Sequence, residues 1–148
     1  MTSLPILLVE DSEDDVFFMK SAFKKAEIAN PVYIAEDGER AVELLHEARG
    51  SPAQRPPPCL VILDLKLPRL PGLEVLKWIR EQPDYRTLPV IIFTSSQDER
   101  DVQAAFSRGA NSYFSKPSDT ASLARLVSLI KTYWLELSIL PRSSPEWL

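Results

Sequence analysis

Three stretches of the chain are short, unbroken runs of branched apolar residues: Ile6 to Val9, Leu60 to Leu63 and Val90 to Phe93. None alternates apolar with polar, so each predicts a strand buried on both faces, as in a parallel sheet covered by helices. Val32 to Ala35 and Ser112 to Phe114 are shorter and more mixed, the composition of edge strands. Apolar residues at helical spacing fill the intervals. Val16, Phe17, Met19, Ala22, Phe23 and Ala26 follow Ser12, which with Asp15 resembles a capping box. Glu13, Asp14 and Asp15 suit the positive end of that helix. A second helix covers Gly38 to Ala48, and a third covers Leu73 to Ile79 after Pro71-Gly72. A fourth runs from Ser96, three before Glu99, to Arg108 and stops at Gly109. The last starts near Pro117 and Ser118 and places Leu123, Leu126, Val127, Ile130, Trp134 and Leu137 on one face.

Strand and helix therefore alternate five times, which predicts a doubly wound α/β fold in one domain. The length of 148 residues suits one domain, and 45% hydrophobic content suffices for a packed core. The proline-rich stretch from Gly50 to Pro58 reads as a stiff spacer inside that domain. A net charge of −4 gives no general attraction to nucleic acid or to an anionic membrane surface. No run approaches the ~20 apolar residues that span a bilayer, and the N-terminus lacks the basic segment of a secretory signal. One cysteine, Cys59, excludes an internal disulfide and makes a reducing cytoplasm the expected compartment. With one histidine, His46, a Cys/His zinc site is excluded too.

Ligands of doubly wound sheets gather outside the carboxyl ends of the strands. The first strand ends in Glu10-Asp11, the third in Asp64, the fourth in Thr94-Ser95-Ser96 and the fifth in Ser115-Lys116-Pro117. Three acids, a hydroxyl and an ammonium thus converge from four parts of the chain. Clustered carboxylates repel, and a hard divalent cation relieves the repulsion. Mg²⁺ takes one or two carboxylates together with a phosphate, so Asp11 and Asp64 are candidate ligands, with Glu10 acting through a water and the Lys66 carbonyl as a further donor. Phosphoryl transfer needs an in-line nucleophile and cancellation of charge on the equatorial oxygens. Asp64 is a competent nucleophile, Lys116 and the Thr94 hydroxyl can each meet a phosphoryl oxygen, and the small Ser95 leaves room for the incoming group. The Lys116–Pro117 bond is a candidate cis peptide that would aim the lysine. Blander roles exist beside these. Glu13, Asp14 and Asp15 read as helix starters, Ser96 as a helix cap, Tyr113 as an edge-strand packing residue and His46 as a solvated helix residue.

The strings Val9-Glu10-Asp11-Ser12, Val61-Ile62-Leu63-Asp64-Leu65-Lys66-Leu67-Pro68 with Pro71-Gly72, Phe93-Thr94-Ser95 and Lys116-Pro117 together resemble the receiver domains of two-component response regulators. The resemblance covers roughly residues 4 to 138. It implies a (βα)5 flavodoxin-like sheet of order 2-1-3-4-5, with Asp64 as phospho-acceptor, Glu10 and Asp11 as the acidic pair, Thr94 as switch hydroxyl and Lys116 as the phosphate-binding lysine. It also places Tyr113 at an aromatic switch position, where phosphorylation would draw Thr94 inward and let Tyr113 rotate from exposed to buried. The implied donor is a sensor histidine kinase. The tail and the proline-bearing loop are similar to short regulators paired with phytochrome-type kinases.

The last helix is longer than the sheet needs, and Tyr133, Trp134, Leu135, Leu137, Ile139 and Leu140 precede Pro141. A surplus of apolar residues predicts an interface. The expectation is a homodimer through the fourth helix, fifth strand, fifth helix and extension, against the alternative that the tail folds back on its own domain. Residues 1–140 are expected to form the receiver and 141–148 a tail, with no output domain. The chain then acts through protein contacts, or shuttles phosphate in a multi-step relay, and catalyses only its own aspartyl phosphorylation and dephosphorylation. A haloacid-dehalogenase phosphatase would need D-x-D after the first strand, where Asp11-Ser12-Glu13 stands. A flavodoxin-like cofactor binder would need a Ser/Thr/Gly-rich phosphate loop, and acids occupy that place.

Overall fold

The computed structural model describes residues 4–50 and 55–141. Five parallel strands, β1 (Ile6–Val9), β2 (Val32–Ala35), β3 (Leu60–Leu63), β4 (Val90–Thr94) and β5 (Ser112–Ser115), lie in the order β2-β1-β3-β4-β5. Five helices connect and cover them: α1 (Glu13–Lys25), α2 (Gly38–Gly50), α3 (Gly72–Glu81), α4 (Glu99–Ser107) and α5 (Thr120–Ile130). This is the expected flavodoxin-like order, and the two mixed strands are the two edges.

The unbroken apolar runs follow from burial on both sides. Leu7, Val9, Val61, Leu63, Val90 and Ile92 point to the face packed by Ala41, Leu45, Val75, Leu76, Ile79 and Ala105. Their alternates Ile6, Leu8, Leu60, Ile62, Ile91 and Phe93 meet Met19, Ala22, Phe23, Leu123, Val127 and Ile130 on the other face. With both faces dry, the central strands β1, β3 and β4 carry no polar side chain before their last position. The polar residues therefore crowd at the strand ends.

Two helix starts differ from the sequence reading. Asp98 caps α4, its Oδ1 accepting from the Arg100 amide at 2.9 Å. Ser96 lies short of the helix and donates its hydroxyl to Asp101 Oδ2 at 2.5 Å. Asp119 caps α5, accepting from the Ser122 amide at 2.7 Å, so Pro117 and Ser118 stay in the loop. In both places the better cap, an aspartate, lies nearer the first helical residue and displaces the start.

Beyond Ile130, the last helix continues as a wider π-type turn, Lys131–Leu137. Trp134 and Leu135 pack back against the core, and Lys131 Nζ donates to the Ala26 carbonyl at 2.8 Å. Leu129, Tyr133, Leu137 and Ile139 stay exposed. The extension thus folds back through one side and leaves the other apolar and open. The expected tail, including Pro145-Glu146-Trp147-Leu148, and part of the proline-rich spacer lie outside the described residues.

Candidate functional site

β1, β3 and β4 end side by side, which brings their next residues onto one rim. The Asp64 amide donates to the Val9 carbonyl at 3.1 Å, and the Glu10 amide to the Ala35 carbonyl at 2.9 Å. The Lys116 amide donates to the Thr94 carbonyl at 2.8 Å, which sets the lysine beside the end of β4. Gly72 closes the space beneath Asp64. Its amide bonds the Leu65 carbonyl at 2.9 Å, and a Cβ there would overlap the Asp64 carbonyl oxygen and Leu65 Cα. Only glycine lets the start of α3 approach that backbone so closely.

Lys116 ties the rim together. Its Nζ donates to Asp64 Oδ2 and to Asp15 Oδ2, each at 2.8 Å, and to both oxygens of Glu10 at 3.0 Å. Glu10 and Asp64 are buried, whereas Asp11 faces solvent. Carboxylate oxygens of Glu10, Asp11 and Asp64 lie within 4.8 Å of one another. Such an oxygen-only, carboxylate-rich set suits a hard divalent cation. The Thr94 hydroxyl is fully buried and has no hydrogen-bond partner among the described residues. It is a donor held ready at the rim.

The electrostatics separate the two buried carboxyls. Burial pushes Glu10 well above the ordinary glutamate value, and the Asp64 carboxyl beside it adds to the effect. Burial also works to raise Asp64, but Glu10 as a donor and Lys116 outweigh it and hold Asp64 below its usual range. Burial alone would lower Lys116, and its carboxylate partners instead hold it above the usual lysine value. Asp64 therefore stays ionised at neutral pH, the form in which a carboxylate can act as a nucleophile.

The structure brings Glu10, Asp11, Asp64, Thr94 and Lys116 together as the strand ends required. Lys66 is exposed, and its amide donates to Asp64 Oδ1 at 3.2 Å, so its peptide adjoins the same carboxylate. Tyr113, the expected switch residue, stands between the exposed and the buried position. It is half-buried, and its hydroxyl donates to the Ser96 carbonyl at 3.0 Å, which ties β5 to the loop after β4. The Lys116–Pro117 bond is trans, since no cis peptide occurs among the described residues. Asp15 was read only as a helix starter. The Ser12 hydroxyl accepts from the Asp15 amide at 3.2 Å as a cap should. The Asp15 carboxylate does not complete the box, because it turns to Lys116. Its signal was its place in the first turn of the helix that leaves the end of β1, beside the strand ends.

A doubly wound sheet whose strand ends present buried acids, one lysine and a free hydroxyl defines an α/β domain built to hold a phosphoryl group and a cation. The chain belongs to the response regulator receiver domain family, whose model matches residues 6–128. It is 37% identical over 136 residues to the response regulator Rcp1 of Synechocystis sp., covering 92% of each chain. The Mn²⁺-bound form of Rcp1 superposes with a TM-score of 0.81 at 36% identity, over 93% of this chain and 99% of that one. The phosphorylated cyanobacterial phytochrome response regulator RcpA gives a TM-score of 0.85 at 30% identity, over 95% and 99%. The bacteriophytochrome response regulator AtBRR gives 0.70 at 35% identity, over 94% and 100%. The protein is thus a phospho-accepting response regulator of two-component signalling, a receiver whose partner class is the histidine kinase and whose acidic pocket suits a divalent cation. Among the described residues no helix is long and apolar enough to cross a membrane.

Proposed function

We propose that Asp64 is the phospho-acceptor and that the reaction depends on Mg²⁺ held by Asp11, Asp64 and the Lys66 carbonyl, with Glu10 acting through a water. The observation that carries this reading is the pairing of an anionic, buried Asp64 with Lys116 at 2.8 Å beside the unpartnered Thr94 hydroxyl. In the transfer, an Asp64 carboxylate oxygen forms the new O–P bond while the N–P bond to the kinase histidine breaks and the imidazole leaves. Lys116 meets one phosphoryl oxygen and Thr94 donates to another. The cation, when bound, neutralises charge on the remaining phosphoryl oxygen. Ser95 is exposed beside Thr94 and small enough to admit the donor. Thr94, drawn toward the phosphoryl group, and Tyr113, tied to the Ser96 carbonyl, transmit the change to the face of α4, β5 and α5.

The similarity to Rcp1, RcpA and AtBRR supports a phytochrome-type histidine kinase as the cognate donor. The exposed side of the extension, where Leu137 is 74% and Ile139 97% accessible, supports a homodimer through that face and the α4–β5–α5 surface. Residues 1–140 then form the working receiver of a cytoplasmic protein that catalyses its own phosphorylation and dephosphorylation. Phosphotransfer from candidate kinases with Mg²⁺ tests the acceptor. Label is expected on the wild type and absent from Asp64→Asn, and label persisting in the variant removes the assignment. Deleting residues 139–148 and measuring mass by light scattering tests the dimer, which requires a dimer in the full chain and a monomer in the truncated one.

A further inference from the structure

Lys116 has three N–H groups, and all are committed: to Glu10, to Asp15 and to Asp64. A phosphoryl group on Asp64 adds an acceptor that the same ammonium must meet, so one existing bond has to be given up. The three partners are not equally placed to lose it. The side chains of Glu10 and Asp64 are 3% and 6% exposed, and a carboxyl that loses the lysine keeps a backbone amide, from Ser12 at 3.3 Å or from Lys66 at 3.2 Å, but has little water to replace the ammonium. Asp15 is 39% exposed at the start of α1, where water can replace the lysine. Its helix does not depend on that bond, because Ser12 provides the cap.

We propose that Asp15 is a positioning residue that restrains Lys116 and competes with the phosphoryl group for it, acting as a brake on the phosphorylated state. The proposal rests on the reading of Asp64 as acceptor. The competition has two parts. Asp15 occupies an ammonium N–H that the phosphoryl oxygen needs, and its own charge repels the newcomer. Both carboxylates bind Lys116 at 2.8 Å, so the Asp15 oxygen lies within two such lengths of the Asp64 oxygen. Removing the charge lowers the cost of releasing the lysine and weakens the repulsion together.

Beryllofluoride, BeF₃⁻, coordinates a carboxylate oxygen as a tetrahedral stand-in for a phosphoryl group, and fluorine NMR separates bound from free fluoride species. Titration of BeF₃⁻ into the full chain with Mg²⁺ gives an affinity for each variant. Asp15→Asn and Asp15→Ala are expected to bind roughly three- to tenfold more tightly than wild type, the effect of one unit charge at this distance in a partly screened position. Asp15→Glu, which keeps the charge, is expected to stay near wild type, an ordering that loss of helix stability would not produce. Affinity unchanged or weakened in both Asp15→Asn and Asp15→Ala overturns the proposal, as does Asp15→Glu behaving like Asp15→Ala. A wild-type adduct that disappears in Asp64→Asn but is indifferent to residue 15 removes the brake and leaves the acceptor standing. An adduct surviving in Asp64→Asn, or none in wild type, removes the acceptor reading and the brake with it.

Discussion

Thr94→Val replaces the orphan hydroxyl with a methyl of nearly the same shape, and the structure gives the effect a sign. Thr94 is fully buried, and its Oγ1 has no hydrogen-bond partner among the described residues. A buried hydroxyl without a partner costs about 1 to 3 kcal/mol relative to one in water. Part of that is returned, because its dipole helps hold Asp64 below its usual range. Valine removes the desolvated group and keeps the packing, so the metal-free protein is expected to gain about 1 to 2 kcal/mol. For a chain of 148 residues that is a rise in Tm of roughly 3 to 6 °C by circular dichroism. On the proposed reading the same change deletes the donor for a phosphoryl oxygen. A hydrogen bond to a charged acceptor contributes about 1.5 to 3 kcal/mol, so BeF₃⁻ affinity with Mg²⁺ is expected to fall roughly tenfold or more. The combination is diagnostic: a site residue whose removal stabilises the fold while weakening the ligand. A variant that melts at or below the wild-type temperature would falsify the claim that the hydroxyl is held unpaired.

Three further perturbations probe the frame and the electrostatics. Glu27 adopts φ +58° at the end of α1, where the Ile28 amide reaches back to the Phe23 carbonyl at 3.1 Å; Gly109, φ +99°, holds the same place after α4. Glu27→Gly therefore relieves a left-handed residue and is expected to add about 1 kcal/mol, a Tm gain of roughly 3 °C, with no gain counting against the strain. Gly72→Ala drives a Cβ into the Asp64–Leu65 backbone, so it is expected to cost about 1 to 3 kcal/mol and to slow labelling of Asp64; wild-type melting and labelling would show that the loop yields freely. Glu10 has a raised folded value, so between the ordinary glutamate value and that raised one the native state holds a proton the unfolded chain lacks, and metal-free stability falls as pH rises through the window. A cation prefers the charged carboxyl, so added Mg²⁺ is expected to raise Tm more at about pH 8.5 than at about pH 6, and an equal rise at both would contradict it.

The sheet was legible because its code is local. A run such as Leu60 to Leu63 has to be buried on both faces, and only a covered parallel sheet offers that to five strands joined by helices. The acceptor rim was legible for a related reason: the dry strands exclude polar side chains, so Glu10, Asp64, Thr94 and Lys116 could stand only where strands end. What escaped is set by tertiary placement. Arg80 donates to the carbonyls of Tyr85, Leu88 and Gly109, main-chain acceptors that no residue type announces. Asp15 was hidden by its adequacy as a helix starter, since an acid in the first turn needs no second explanation. Ser96 was misplaced as a cap because Asp98, two residues on, competes for the same role and wins. The half-buried Tyr113 bonds a backbone carbonyl, a partner that sequence does not announce.

The resting rim carries three separate costs, and one pair of ligands relieves all of them. Thr94 has a buried donor with nothing to bond. Glu10 is forced toward its protonated form by burial and by Asp64. Lys116 is shared among three carboxyl groups, one of them at the surface. On the proposed reading, a cation favours ionised Glu10, a phosphoryl oxygen accepts from Thr94, and another claims Lys116 and releases Asp15 to water. A site optimised only for the unliganded fold would have valine at 94 and no fourth acid at 15. Polar groups whose cost persists until a particular ligand arrives link occupancy to stability, because the ligand's binding energy then includes the relief of each cost. That linkage is what a receiver needs: a resting state held slightly unfavourable at one rim, so that a small covalent change there shifts the balance of the packed face beyond it.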